Sequence, residues 1–489
     1  MSVWDRICEA AVEQCLFPWT NYLVNNRGIK STFRNLRRSQ WASADELHAM
    51  QLARLARVLQ YAYRWVPFYT RRFREIGLEP GDIQSMEDLA GIPPLTREEV
   101  IAQGHDLVDL RLQESVRRAE RSGRPIGKPL PMARFRRHQL IRNTSTGSTG
   151  APTVFFEDGR TSALCWAQEW RVKDWYNLQP CVREARMKRV SSEFLPDSLA
   201  LRIRRQVWRQ LVLPGMNLSD DDYALCQRKL ESFRPKVLWG ITTALAGLTD
   251  YYRRNGGAQN WRPELVITWA SPLYDHEDRL FREVFDCQVT NIYGTREVGH
   301  VAARCPAGSM HVHQEDYIVE NTQPGAHENN ANQAVGQLLV TTLFDNPMPF
   351  IRYQVGDLGR IASDRCDCGR ALPVLRDILG RTGDVFFTSE GRMIAPNFWC
   401  RVFMDGLAAD TVDRFQVIYR DRRRIDLRVV KKSHYTPATE QEIRRMLASN
   451  FSVDTAFDFQ YVSEIHPQPS GKYQMVINNI SMPNGQSAE

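Results

Sequence analysis

Asn143-Thr144-Ser145-Thr146-Gly147-Ser148-Thr149-Gly150-Ala151-Pro152-Thr153-Val154-Phe155 is the stretch around which the chain is organised. Five hydroxyl residues and two glycines between Thr144 and Ala151 describe a loop whose backbone can pass close to a ligand while its N–H and O–H groups point inward. Such a loop makes a nest for phosphate. The apolar Val154-Phe155-Phe156 that follows reads as a strand, so the loop sits where a rigid scaffold can present it. The Gly-x-x-x-x-Gly-Lys-Ser/Thr spacing of a Walker loop is missing, and its lysine with it. A Ser/Thr/Gly surface linker has the same composition, and residues downstream must decide between the two.

The chain has 489 residues, 43% hydrophobic and 25% charged, a globular composition long enough for two or three domains. No apolar run approaches the ~20 residues of a spanning helix, and Met1-Ser2-Val3-Trp4-Asp5-Arg6 lacks a signal pattern, so a soluble cytoplasmic protein without membrane insertion is expected. The net charge of +7 is mild, and the clusters Arg202, Arg204, Arg205 and Arg422, Arg423, Arg424 read as solvated faces. There is no nucleic-acid signature; an anionic substrate such as a nucleotide explains the charge.

Residues 43–76 read as helices, with Leu52, Leu55, Leu59 and Tyr63 on one face and Pro67 as a break. Ser85 to Asp88 and Thr96 to Glu99 have the form of helix starts, the second with a capping box. This front part, to about residue 135, is a helical apron. From 151 to about 380, β-rich runs such as 237–239, 265–268, 289–293 and 337–342 alternate with helical segments, which predicts an α/β core. The Asn-rich stretch 321–334 reads as a surface loop between two strands. After Gly380 a β-β-α-β pattern (414–419, 425–430, 437–447, 457–462) is long enough for a small α+β domain. The expected division is therefore 1–380 and 381–489.

Of the ten cysteines, seven (Cys8, Cys15, Cys165, Cys181, Cys226, Cys287, Cys400) are scattered as packing residues. Cys366-Asp367-Cys368-Gly369 is a tight pair, and with Cys305 and His311 it makes a donor set suited to tetrahedral zinc. Reduced thiols without metal, or His313 or His300 in place of His311, are the alternatives.

Five stretches stand in the order of one family: the loop at 144–153, Tyr293-Gly294-Thr295-Arg296-Glu297, Arg352-Tyr353-Gln354-Val355-Gly356-Asp357-Leu358, Gly380-Arg381-Thr382-Gly383-Asp384 and Pro469-Ser470-Gly471-Lys472. In them the chain resembles the adenylate-forming (ANL) superfamily, and within it the phenylacetate–CoA ligase branch and its CapK-like members. The resemblance implies a large multi-subdomain N-terminal adenylating domain and a small mobile C-terminal one. It implies an AMP-forming ligase that activates a carboxylic acid with ATP and passes the acyl group to an acceptor. CoA is the expected acceptor, an amine or hydroxyl compound the alternative, and a catalytically silent nucleotide-binding protein the rival; a homodimer is allowed.

By that resemblance Thr144, Ser145, Thr146, Gly147, Ser148, Thr149 and Gly150 hold the β- and γ-phosphates, and Glu297 binds Mg²⁺. Tyr293, Gly294 and Thr295 line the nucleotide pocket, opposite an adenine wall of Ala270-Ser271-Pro272. Asp357 accepts from both ribose hydroxyls, Arg381 stands beside ribose and phosphate, and Lys472 bridges the carboxylate and the α-phosphate. Trp239, Gly240 and Trp269 line the acyl pocket, and Cys305, His311, Cys366 and Cys368 match the branch's zinc site. Thr153 replaces the lysine common in the superfamily, and Ser389-Glu390-Gly391-Arg392 replaces the glycine-rich stretch that contacts CoA.

Overall fold

The computed structural model describes residues 28–121, 140–145, 153–188, 205–206, 208–216, 218–328, 334–362, 365–381, 385–389, 393–404, 408, 411–466 and 474–480. Helices lead: α1 (Ile29–Ser39), α2 (Ala44–Trp65), α3 (Pro67–Glu75), α4 (Arg97–Ala102) and α5 (Gln113–Arg121). The apron's expected parts before residue 28 and at 122–135 lie outside the described residues. α2 starts in a capping box between Ser43 and Glu46, and Pro67 at the first position of α3 ends it. Leu55 and Leu59 are buried as their spacing predicts, while Leu52 and Tyr63 lie at the margin. Thr96 and Glu99 form the expected capping box of α4. The Ser85–Asp88 motif yields only a 3₁₀ turn, Asp88–Gly91. Asp88 does accept the Gln84 and Ser85 N–H groups, but Pro93 and Pro94 follow and cannot continue a helix.

β1 (Ile141–Thr144) and β2 (Val154–Glu157) pair as a hairpin whose ends bracket the hydroxyl-rich loop. The large sheet is separate from this hairpin and is built of β3 (Glu184–Lys188), β4 (Gln210–Pro214), β5 (Val237–Ile241), β6 (Leu265–Trp269), β7 (Gln288–Thr295), β8 (Gly299–Arg304), β9 (Met310–Val312), β10 (Tyr317–Glu328), β11 (Ala334–Thr342), β12 (Tyr353–Ala362) and β13 (Val374–Arg381). Their order is β10-β11-β12-β13-β9-β8-β7-β6-β5-β3-β4. From β4 to β7 neighbours are parallel; from β7 to β10 they are antiparallel.

The parallel half is covered on both faces, as buried parallel strands require. α6 (Gly159–Trp175) lays Val172 and Trp175 against Trp239, Ile267 and Ile292. α7 (Asp220–Phe233), α8 (Thr242–Arg254) and α9 (Asp275–Phe285) cover the other face through Leu230, Leu245, Leu248, Phe281 and Phe285. The predicted loop at 321–334 is corrected over 321–328, while 329–333 lie outside the described residues. β10 runs on to Glu328 and pairs again with β11 after a register shift between Thr322 and His327. β10 is an edge strand, where backbone pairing tolerates polar side chains and a bulge absorbs the irregularity.

The C-terminal part has a small α+β core of its own. β14 (Phe386–Phe387) pairs with β15 (Met393–Ile394), and β16 (Val412–Tyr419), β17 (Arg424–Lys431), β18 (Ala456–Tyr461) and β19 (Val476–Asn478) form a sheet in the order β18-β17-β16-β19. α10 (Pro396–Met404) and α11 (Pro437–Ala448) pack on it around Trp399, Phe403, Phe415, Tyr419 and Ile443. Phe386 stacks on Tyr419 at 4.0 Å, which ties the first hairpin to that core.

Apron and sheet are joined by buried charge. Arg171 of α6 and Glu315, both 0% exposed, pair at 2.6 Å, and Ser39 of α1 donates to the same carboxylate oxygen at 2.6 Å. Next to them Asp316 accepts from Arg54 of α2 and Gln168 of α6, each at 2.9 Å. Removing one member of such a pair leaves the other charge buried and unpaired, at a cost of about 3–5 kcal/mol. Arg171→Leu is therefore expected to lower the thermal unfolding midpoint sharply. In a double-mutant cycle, Arg171→Leu with Glu315→Met should lose much less than Arg171→Leu alone, and additive losses would refute the pairing as the cause.

Candidate active site

Where the sheet turns from parallel to antiparallel pairing, the C-terminal ends of β5, β6 and β7 open into a cleft of about 2220 Å³. Carboxyl ends at such a change of topology are where α/β sheets receive ligands. The cleft is closed on its far side by the small sheet, through Arg414, Lys432 and the 474–478 segment.

Asp357 on β12 stands directly opposite Arg381 on β13 in the sheet register. Arg381 Nε lies 3.2 Å from Asp357 Oδ1, and its other end donates to the Val355 carbonyl at 3.0 Å. The Tyr293 hydroxyl, arriving from β7, donates to Asp357 Oδ2 at 2.9 Å. Burial and the Asp357 charge push the Tyr293 hydroxyl well above its ordinary pKa, so it stays a donor. Asp357, and next Glu297, raise the pKa of Arg381, which keeps a permanent cation at the cleft mouth. Three strands thus converge on one carboxylate that is 8% exposed.

Two glycines make this approach feasible. A Cβ on Gly294 would fall 2.0 Å from the Gly299 carbonyl oxygen, where β7 and β8 shift register. Gly356, at φ 78°, turns the backbone into Asp357, and a Cβ there would crowd the Arg381 guanidinium at 3.2 Å. Ala270, at φ 66°, holds the left-handed region without being glycine and leads into Ser271 and Pro272 on the cleft wall. Backbone strain of this kind collects at ligand sites.

Ser145 lines the cleft, and the loop is closed at its base: the Ser145 N–H donates to the Thr153 carbonyl at 2.9 Å and the Thr153 N–H to Ser145 Oγ at 3.1 Å. Thr144 ends β1 beside it. Thr146, Gly147, Ser148, Thr149, Gly150 and Lys472 lie outside the described residues, as does the 382–384 hinge. Glu297 is half-buried in the cleft wall, and Thr295 spends its hydroxyl accepting from the Val298 N–H at 3.4 Å. Trp239 and Trp269 line the cleft. Gly240 does not: its open side is filled by Leu245 and Met187, each 3.0 Å from where a Cβ would stand.

The four metal-type residues meet. Cys305 follows β8, His311 sits on β9, and Cys366 and Cys368 lie between β12 and β13, with ligand atoms all within 4.8 Å of one another. Cys305 and Cys366 sulfurs are 3.6 Å apart, and Cys368 Sγ is 3.2 Å from His311 Nε2. His311 Nδ1 lies 2.9 Å from the Leu372 carbonyl, so the ring is oriented with Nε2 free for a ligand. His313 instead contacts Arg171, and His300 lines the cleft.

Sequence reasoning missed several groups. Arg97, at the start of α4, donates to the Thr153 hydroxyl at 3.2 Å and lines the cleft, bringing a cation to the position where a lysine is absent. Glu169, Arg186 and His300 also reach the cleft. Arg97 lies in the Thr96–Glu99 helix start and His300 is an alternative metal ligand in the sequence, but that these two, Glu169 and Arg186 reach the cleft follows from the fold alone.

Residues 386–479 match the CapK C-terminal domain family. A phenylacetate-coenzyme A ligase of Thermus thermophilus is 24% identical over 393 residues, covering 78% of this chain and 80% of that protein. Protein CapK of Staphylococcus aureus is 24% identical over 360 residues, covering 71% and 76%. Among solved structures, 2-hydroxyisobutyryl-CoA ligase in the postadenylation state with R3-HIB-AMP superposes with a TM-score of 0.66 at 18% identity, covering 90% of this chain and 91% of that one. The chain is thus similar to the phenylacetate-coenzyme A ligases and CapK, shares the fold of 2-hydroxyisobutyryl-CoA ligase, and matches the CapK C-terminal domain over residues 386–479.

Proposed function

We propose that this protein is an AMP-forming, ATP-dependent acyl ligase with CoA as its acceptor. The observation that carries the reading is Asp357, held between the Tyr293 hydroxyl and the Arg381 guanidinium at the cleft mouth. A carboxylate offers two acceptor oxygens, the chemistry that the two ribose hydroxyls of a nucleotide call for. Phenylacetate-coenzyme A ligases of Thermus thermophilus and Pseudomonas putida, the second 25% identical over 357 residues, are among its relatives.

In the first half-reaction a carboxylate oxygen attacks the α-phosphorus, the bond from that phosphorus to the bridging oxygen breaks, and pyrophosphate leaves. In the second, the acceptor sulfur attacks the acyl carbon and AMP leaves with the bonding pair. Both reactants of the first step are anions, so the protein's contribution is alignment and positive charge. Asp357 and Tyr293 fix the nucleoside. Arg381 and Arg97 supply permanent cations on the cleft wall, and Ser145 begins the loop proposed to hold the outer phosphates. Glu297, a carboxylate turned into the cleft, would hold Mg²⁺, which offsets triphosphate charge when bound. Lys472 would bridge carboxylate and α-phosphate, and rotation of a small domain beginning at residue 381, about 382–384, would withdraw it before acyl transfer. A cytoplasmic location accords with CoA and ATP as co-substrates.

Three thiols and an imidazole fit tetrahedral zinc, with Cys305, His311, Cys366 and Cys368 as ligands and no position left open for chemistry. A bound ion would tie β9 to the β12–β13 connection, the strand pair that carries Asp357 and Arg381.

The test is pyrophosphate release from ATP and Mg²⁺ across a panel of aryl, fatty and amino acids, with CoA or hydroxylamine as acceptor. Asp357→Ala should raise the KM for ATP and lower kcat/KM by roughly 10²-fold or more, the loss of two hydrogen bonds to a charged group. An unchanged value would remove Asp357 from the site. Lys472→Ala should abolish pyrophosphate release yet leave transfer from a supplied acyl-adenylate largely intact. For the metal, elemental analysis is expected to give about one zinc per chain, falling away in Cys366→Ser with Cys368→Ser, together with a lower unfolding temperature. Full zinc retention in the double variant would refute the ligand set.

A further inference from the structure

Around Trp239, where the acyl group is expected, one carboxylate of the cleft is left without a cation of its own. Arg186 of β3 pairs with Glu169 of α6 at 2.6 Å and with Glu184 at 2.7 Å, and Lys173 pairs with Glu184 at 3.1 Å. The Arg186 guanidinium lies 4.6 Å from the centroid of the Trp239 ring on the cleft wall. Glu169 and Glu184 are thus answered by Arg186 and Lys173. Glu157 has no such partner.

Glu157 ends β2, and Asn143 on β1 is its diagonal neighbour on the same face of the hairpin. Asn143 Nδ2 donates to Glu157 Oε1 at 2.5 Å, and both residues line the cleft. Among the described residues Glu157 makes no other hydrogen bond and no ion pair, which leaves Oε2 without a donor. That oxygen is not sealed off, since Glu157 is only partly buried and Oε2 keeps accessible surface. Burial raises the Glu157 carboxyl above its ordinary range, and the Asn143 amide and the more distant charge of Arg296 oppose that without cancelling it. A carboxylate in this condition gains from a cation brought to it.

Position separates Glu157 from the phosphates. It stands three residues beyond Val154, where β2 leaves the hydroxyl-rich loop, a distance of about 10 Å at the rise of a strand. Its other neighbours are on α6. Burial raises the Cys165 thiol, and the charges of Glu157 and then Glu169 add to that, so both carboxylates act on one side chain of the cleft wall. Cys165 and Glu169 are one helical turn apart, and Glu169 leads through Arg186 to Trp239. Glu157 therefore belongs with the acyl pocket and not with the triphosphate.

We infer that the acid activated here carries a protonated amine, which pairs with Glu157 Oε2 while Asn143 holds the other oxygen. The class is acids with a basic nitrogen on an alkyl carbon, that is, amino acids; an aniline nitrogen, neutral at physiological pH, does not supply the charge. A second carboxylate on the substrate would meet Glu157 and is disfavoured. This inference rests on the acyl-ligase reading and specifies its substrate.

The experiment compares kcat/KM for pyrophosphate release between acids matched in shape, one bearing an ammonium group and the other a methyl group or hydrogen in its place. The panel takes α-, β- and ω-amino acids and aminomethyl benzoates, each against its nitrogen-free counterpart. For one placement of the nitrogen the ammonium acid is expected to exceed its counterpart by about tenfold or more. In Glu157→Gln, which keeps an acceptor for Asn143, that ratio should fall toward one. Where the variant does not fold, the comparison on the unaltered chain decides. Nitrogen-free acids working as well as every ammonium acid, with pyrophosphate released, would overturn the inference and leave the ligase reading intact. A ratio unmoved in folded Glu157→Gln, or a raised KM for ATP with Mg²⁺ in its place, would overturn the assignment to Glu157. If no acid supports release although ATP binds, the ligase reading and the inference fall together.

Discussion

The ion pair between Arg171 and Glu315, fully withdrawn from water, is the constraint on which the rest depends. Two bare charges at that depth are tolerable only together, so α6 cannot shift against the turn after β9 without exposing one of them. Ser39 from α1 and, through Asp316, Arg54 from α2 are committed to the same turn. The network therefore sets the height of the apron above the sheet. Two residues before the turn, His311 holds its place in the cysteine cluster, so the metal-type site and the ion network share one short segment of chain.

From that fixed point the active-site geometry follows. α6 is held over the parallel strands and delivers Glu169 to Arg186, while the antiparallel strands beyond β7 bring Asp357 and Arg381 face to face. The cleft lies where the two pairing modes meet because β7 is the last strand whose C-terminal end points outward with those of β5 and β6. Its neighbour β8 runs back, and the tight β7–β8 turn, possible only with Gly294 in place, presents Thr295 to Glu297 along the rim.

Much of this was legible in the sequence where physics acts locally. The capping box at Thr96, the β-branched run at 265–268 and the C-terminal β-β-α-β pattern each specify their element within a few residues. The cysteine pair was readable for the same reason, since Cys366 and Cys368 announce themselves by spacing. The strand through 321–328 was not, because an edge strand is held by its partner's backbone rather than by its own side chains. Nor was the role of Gly240, whose neighbours Leu245 and Met187 come from a helix and another strand. Arg97, Glu169 and His300 acquire meaning only from what the fold sets beside them.

Charge around the cleft is dense and largely matched within the protein. On one side Arg381 pairs with Asp357, with Glu297 adding to the field on it, and Arg97 donates to the Thr153 hydroxyl. On the other, Arg186 is shared between Glu169 and Glu184. Buried ion pairs are costly to desolvate, so the Arg186 cluster is better explained as a frame that holds Trp239 and Glu169 in position than as a source of stability.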